Sequence, residues 1–79
     1  MKVGVKVLPK PEVLDSQGRA VEKTLSHHQL SVNQCTVGKY VVIDVEASSE
    51  DQALEQARKI TEFVLYNPLV ESFEMEIVK

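Results

Sequence analysis

The sequence predicts a single α+β domain, spanning residues 1–79, in which two helices cover one face of an antiparallel sheet. Two patterns support this class. Segments with apolar residues at every second position, the period of a half-buried strand, alternate with segments whose apolar residues recur at helical spacing. Each helical segment also begins at a residue that can cap it, Asp15 in the first and Ser49 in the second.

The first strand and the first helix flank a loop that begins at Lys10. Three valines at alternating positions predict a strand over residues 2–8. Pro11 fixes its own φ and biases Lys10 towards an extended conformation, so the strand cannot continue into a helix at this point. A helix capped by Asp15 is predicted over residues 15–28, with Arg19 and Glu22 facing away from its apolar stripe.

The middle of the chain predicts two further strands. Residues 31–36 have no clean apolar face and are assigned to an irregular second strand. Residues 37–40 are expected to connect two strands, with Gly38 free to take the positive φ that a tight turn or bulge needs. Strict alternation then predicts a third strand over residues 41–47, whose polar face also carries Tyr40 and Val42.

The second helix begins at a capping box, in which Ser49 accepts from the third helical N–H and Gln52 reaches back. Its expected core stripe includes Ala53, Ala57 and Val64, and Asn67-Pro68 ends it. A last strand over residues 69–79 completes the order βαββαβ, which is typical of ferredoxin-like folds. One sheet face then stays open, and apolar residues on it need another chain.

Composition restricts the classes of function. A chain of 79 residues has a thin core, and with one cysteine it has no internal disulfide, so oligomerisation is the expected source of further stability. A net charge of -3 disfavours nucleic acid and anionic membrane surfaces as partners. No segment is apolar enough to cross a bilayer, and a cytoplasmic location is expected.

No catalytic or metal-binding constellation is evident. His27, His28 and Cys35 lack the spacing of a metal site, since adjacent helical residues point about 100° apart. Cys35 has no paired base that would make it a nucleophile. Gly38-Lys39 lacks the flanking glycines of a phosphate-binding loop. An association surface is the better interpretation, since several apolar side chains are expected to be exposed.

Four segments in the right order resemble the PurS family. They are the loop Lys10-Pro11-x-Val13-Leu14-Asp15-x-Gln17-Gly18, then Ala20-Val21-Glu22, then Val37-Gly38-Lys39-Tyr40, and finally residues 67–74. The resemblance covers essentially the whole chain. It implies a non-catalytic small subunit of phosphoribosylformylglycinamidine synthase, a ligase of de novo purine biosynthesis.

The resemblance also implies partners and candidate contact residues. A large synthetase subunit, PurL, would use ATP and Mg, and a glutaminase subunit, PurQ, would release ammonia. This chain would bridge the two subunits as a homodimer or tetramer. It would bind no cofactor or metal itself. The candidate interface residues come from the first loop and the predicted strand connection: Pro11, Asp15, Gly18, Gly38, Lys39 and Tyr40. Departures from the family pattern occur at Glu12, Ser16, Ser31 and Thr36.

A ligand-binding regulatory module of the ACT kind is the alternative, because it shares the order of strands and helices. Such modules bind amino acids between subunits. The sequence alone leaves this alternative open, and it also leaves the choice between dimer and tetramer open.

Overall fold

The computed structural model describes every residue from Met1 to Lys79. Its elements are β1 (Lys2–Pro9), α1 (Ser16–His27), β2 (Lys39–Asp44), α2 (Glu50–Ile60) and β3 (Glu71–Val78), and one π-helical segment (Thr61–Leu65) extends α2. The strands form one antiparallel sheet in the order β2-β1-β3. The predicted α+β class, with two helices and an antiparallel sheet, is confirmed.

The core lies on the inner face of the central strand. Val3, Val5 and Val7 of β1 are fully buried or nearly so, as their alternation predicts. In the neighbouring strands, Val3 is paired with Ile43 and Ile77. Burying each such side chain is worth about 1.5 to 3 kcal/mol, and β1 supplies three of the six buried apolar residues. Lys2, Gly4, Lys6 and Leu8 lie on the other, outer face.

Helix α2 covers this inner face through its small residues. Ala53 and Ala57 are fully buried and pack with Val3. Ser49 caps the helix, as predicted, by accepting from the Gln52 N–H at 3.2 Å. The Gln52 side chain was expected to reach back to the capping residue Ser49. Its oxygen instead accepts from the backbone N–H and the hydroxyl of the preceding residue, Ser48.

The predicted core stripe of the second helix is wrong at Val64, which lies in the π-helical segment. A π-helix turns by a smaller angle per residue than an α-helix does. Thr61, four residues after Ala57, continues the buried face of α2 and is fully buried. Val64, within the π-helical segment, is turned outward and 63% exposed. Phe63 is also exposed, and the segment ends at Leu65, before Asn67-Pro68 as predicted.

Helix α1 ends in a hydrogen-bonded reversal that needs a left-handed residue. Gln29 has φ 60°, its N–H donates to the Ser26 carbonyl, and the N–H of Leu30 donates to the Leu25 carbonyl at 2.9 Å. This is the Schellman arrangement, in which glycine is the usual left-handed residue. The reversal sends the chain back along α1, and we call α1 together with residues 28–38 the arm.

Two details of the prediction are wrong. Residues 31–36 do not join the sheet. Helix α1 does not lie beside α2 on the face of the sheet, because α2 alone packs on β1 and β3 while the arm extends away from these strands. The radius of gyration is 15.7 Å, with a longest dimension of 50 Å, whereas a compact chain of this length has about 12 Å. Hydrogen bonds with Asp15, Arg19 and Glu22 hold the returning segment against α1 and away from the sheet.

Candidate association site on the arm

The carboxylate of Asp15 joins the start of α1 to the chain that returns towards β2. One oxygen accepts from the Gly18 N–H at 2.9 Å, which caps the helix as predicted, and the other accepts from the Val37 N–H at 2.9 Å. These backbone hydrogen bonds, that of Gly18 first, lower the pKa of Asp15 below its usual range. Asp15 is therefore held as an anion that connects two parts of the arm.

Arg19 and Glu22 hold the next part of the returning chain. Glu22 accepts from the Cys35 N–H at 2.6 Å, and Arg19 donates to the Cys35 carbonyl at 3.0 Å. The two side chains also form a paired hydrogen bond with each other, at 2.9 and 2.7 Å. The hydrogen bond from Arg19, which is the larger cause, and the hydrogen bond from the Cys35 N–H lower the pKa of Glu22 below its usual range. The hydrogen bond to Glu22 in turn raises the pKa of Arg19.

We call these three side chains, with the backbone of Cys35 and Val37, the clasp. The sequence interpretation missed Arg19 and Glu22 as part of the site, because it placed them on the solvent face of α1. Their spacing of three residues on a helix indicates an ion pair, but it does not reveal a backbone partner sixteen or thirteen residues away. That partner appears only when the chain reverses at Gln29.

Gly18 is the point where the returning chain touches α1. It is buried, and a Cβ atom there would collide with the Cys35 carbonyl and lie 2.5 Å from the Asp15 carboxylate. A side chain at this position would therefore push the two halves of the clasp apart. The predicted site residues Asp15 and Gly18 belong to one structural unit.

Gly38 has a different role from the one predicted. No glycine in the chain has a positive φ, so Gly38 does not form a left-handed turn. A Cβ atom there would instead collide with the Val7 carbonyl and a methyl group of Leu8. Gly38 allows the chain to pass close to β1 as it leaves the arm and enters β2.

Lys39 and Tyr40 are the first two residues of β2, which begins two residues before the predicted strand and ends at Asp44. Tyr40 lies on the outer face, where its hydroxyl donates to Glu76 at 2.9 Å, and the ring crosses above Gly4. The hydrogen bond to Glu76, with some desolvation, raises the pKa of Tyr40. Both side chains are exposed and stand at the base of the arm.

Pro11 stands in the turn that precedes the arm, where the Val13 N–H donates to the Lys10 carbonyl at 3.0 Å. A groove of about 350 Å³ runs beside this turn, with Pro11, Asp15 and Arg19 among its lining residues. The six predicted interface residues thus lie on the arm or at its base. Their role in binding partners stays a prediction.

A second groove, of about 670 Å³, lies between the end of α2 and β3. Its lining mixes the cations Lys10 and Arg58 with Glu62, and it includes Tyr66, whose ring meets Phe73 edge-on at 4.7 Å.

No group of three or more His, Cys, Asp or Glu side chains is placed to hold a metal ion. None of the helices has the length and apolar character needed to cross a membrane.

Comparison with known proteins agrees with this architecture. The family model for PurS, phosphoribosylformylglycinamidine (FGAM) synthase, matches residues 2–79. The FGAM synthase subunit PurS of Thermotoga maritima is 32% identical over 75 residues, which are 94% of this chain and 92% of that protein. The corresponding Bacillus subtilis subunit is 33% identical, over 96% of this chain and 90% of its own length.

Solved structures give the same result for the fold. The crystal structure of the T. maritima PurS subunit superposes with a TM-score of 0.91 at 31% identity, over 98% of this chain and 90% of that one. A chain in the structure of PurLQS from T. maritima superposes with a TM-score of 0.89 at 31% identity, over 98% of this chain and 95% of that one.

The fold and the clasp first define a class: a small α+β protein with a three-stranded antiparallel sheet, one covering helix and a helical arm. The sequence and structural matches then show that the chain belongs to the PurS family. Its function is that of the PurS subunit of FGAM synthase, a ligase of purine biosynthesis. These matches confirm the predicted family and favour it over the ACT-like alternative.

Proposed function

We propose that this chain acts in the cytoplasm as the subunit that holds the synthetase and the glutaminase of FGAM synthase together. It works as a homodimer or tetramer, carries no catalytic group, and binds neither ATP nor Mg. PurL uses ATP and Mg to activate the amide substrate, PurQ releases ammonia from glutamine, and this chain supports the transfer of ammonia between them.

The observation that carries this proposal is the match to a chain of the T. maritima PurLQS structure over nearly the whole length of both chains. The shape of the molecule adds to it. An arm that extends from the sheet offers contact surface on several sides, and a chain with few buried residues gains stability from partners.

The activity test uses PurL and PurQ from the same organism, with and without this chain. We expect glutamine-dependent formation of the amidine only when all three are present, and no activity from this chain alone. Ammonium chloride in place of glutamine isolates the synthetase step, and we expect it to depend less on this chain. Glutamine-dependent activity that is the same without the chain contradicts the bridging role.

The predicted contact residues are tested with a double variant, Lys39→Ala with Tyr40→Ala. Both side chains are exposed at the base of the arm, so we expect native circular dichroism and weaker binding to PurL and PurQ in analytical ultracentrifugation. Lys59→Ala, an exposed position on α2, is the matched control. Unchanged assembly of the double variant would remove these two residues from the interface.

A further inference from the structure

Exposed apolar side chains concentrate where the second helical segment ends. Phe63 is 86% exposed, Val64 is 63% exposed and Leu69 is 82% exposed. A single exposed apolar residue is ordinary on a protein surface, but three within seven residues indicate an interaction site. The π-helical segment contributes to this exposure, because α-helical spacing from Ala57 would return Val64 to the buried stripe. Short π-helical segments occur often at functional sites.

These side chains stand beside the groove of about 670 Å³ between the end of α2 and β3. Phe63 and Leu69 directly follow two of its lining residues, Glu62 and Pro68. The apolar part of the lining is only half-buried and comes from both sides of the groove: Leu54, Tyr66, Phe73 and Met75. The groove can therefore receive an apolar side chain of another molecule, and the two exposed residues extend the contact area.

Charged side chains of both signs also line this groove, and most of them have no partner in the chain. The cations Lys10 and Arg58 form no ion pair. The carboxylates of Glu62 and Glu74 are equally free, whereas that of Glu71 accepts from a backbone N–H at 2.7 Å. An apolar centre with aromatic residues and a charged, solvent-accessible rim is the usual anatomy of a protein–protein interface.

Charge favours a partner other than a second copy of this chain. Three acids and two cations line the groove, and the whole chain carries a net charge of -3. Two copies placed groove to groove would therefore repel each other. A segment that carries lysine or arginine would instead pair with Glu62 and Glu74, and opposite charges of this kind increase the rate of association.

The groove is separate from the contact residues predicted at the base of the arm. Lys39 and Tyr40 belong to β2, and the central strand β1 lies between β2 and β3. Tyr40 lies on the outer face of the sheet, whereas α2, which forms one wall of the groove, covers the inner face. One chain can therefore contact a different partner at each of these two surfaces.

We propose that the groove, together with Phe63 and Leu69, is the second docking surface of the bridge, and we call it the α2 end surface. Its occupant is a segment of PurL or PurQ in which an apolar side chain is flanked by lysine or arginine. The apolar side chain fills the groove, and the cations pair with Glu62 and Glu74. This inference rests on the proposed function, since a chain that holds two subunits together needs two surfaces.

Photo-crosslinking in the assembled complex tests the occupant. A benzophenone amino acid replaces Phe63, and the chain is then assembled with PurL and PurQ. We expect crosslinks from this position to one of these two subunits. The same group in place of Glu55, which is exposed on α2 outside the groove, is the matched control and should give no crosslink to that subunit.

Other outcomes overturn the proposal in distinguishable ways. Crosslinks from position 63 to a second copy of this chain would make the α2 end surface a contact between copies. A complex that assembles without any crosslink from position 63 would reject this surface and leave the bridging role in place. A native chain that does not assemble with PurL and PurQ would reject the bridging role and this inference with it.

Substitution of the exposed apolar residues provides the second test. Phe63→Ala with Leu69→Ala should weaken binding to the crosslinked subunit about tenfold or more, because a few central apolar anchors carry most of the binding energy of an interface. Both side chains are exposed, so the circular dichroism and the mass of this chain alone should not change. Leu14→Ala, at a position that is 78% exposed, is the control and should bind that subunit normally. Parental affinity of the double variant contradicts the proposal.

Neutral variants test the charge of the occupant. Glu62→Gln with Glu74→Gln should weaken binding to the same subunit and reduce its dependence on salt, since rim charges act through salt-sensitive association. Glu46→Gln with Glu55→Gln changes the net charge equally at exposed positions outside the groove, and should keep the parental salt dependence. Identical effects of the two pairs would show that only net charge matters and would contradict pairing at the α2 end surface.

Discussion

Replacing Thr61 by valine should make the protein more stable. Thr61 is fully buried between the end of α2 and the sheet, and its hydroxyl has no hydrogen-bond partner. A buried polar group without a partner costs about 1 to 3 kcal/mol. Valine has the same branched shape and a similar helix propensity, so the change removes the polar atom and little else.

The expected gain is about 1 to 2 kcal/mol in the free energy of unfolding. For a domain of this size, each kcal/mol corresponds to roughly 4 to 8 °C in Tm. The assay is urea unfolding followed by far-ultraviolet circular dichroism, at one fixed protein concentration, because association makes stability depend on concentration. The dependence of the unfolding free energy on urea should be the same for both proteins, since the surface exposed on unfolding is unchanged.

Thr61→Ser is the matched control. It keeps the hydroxyl and removes the methyl group, so we expect a loss of about 1 kcal/mol. If Thr61→Val were less stable than the parent, the hydroxyl would have a partner in solution, and the π-helical segment would depend on that hydrogen bond. Equal stability of the two proteins would also refute the reasoning from the unpaired hydroxyl.

Three further predictions concern the arm and the outer face. Gln29→Gly should raise stability by about 1 kcal/mol, because a non-glycine residue at φ 60° is strained, and thermal unfolding with Gln29→Ala as an equally strained control checks this. Glu76→Gln should lower the pKa of Tyr40 towards its ordinary value, since Glu76 raises it; a phenol titration at 295 nm that shows no change contradicts the assignment. The pKa of Asp15 is lowered in the fold, so its contribution is complete above the ordinary value of about 4 and is lost as the pH falls below that. Hydrogen exchange should therefore show the Val37 amide losing protection in acid, and Asp15→Asn should abolish this pH dependence.

The candidate site was partly predictable from sequence. Asp15 was identified as a helix cap, and its capping contact with Gly18 is present. Its second contact, with Val37, joins residues 22 positions apart, and no local pattern records such a distance. The contacts of Arg19 and Glu22 with the backbone of Cys35 were missed for the same reason.

The sequence by itself determined the elements whose signals are local. The alternation of valines in β1 and the caps at Asp15 and Ser49 depend on neighbouring residues, and all of them are present in the structure. The end of the second helical segment before Asn67-Pro68 is equally local, because proline cannot continue a helix. The PurS family was also recognisable from four short segments.

Only the tertiary structure decided how the arm is arranged. Residues 31–36 contain strand-forming residues, but the carboxylates of α1 bind the adjacent backbone and draw the segment away from the sheet. Gly38 was expected to be free for the positive φ of a tight turn or bulge, whereas its lack of a side chain allows a close approach to Val7. In both cases the deciding partner is distant in sequence, and long-range contacts of this kind leave no periodic signal in the chain.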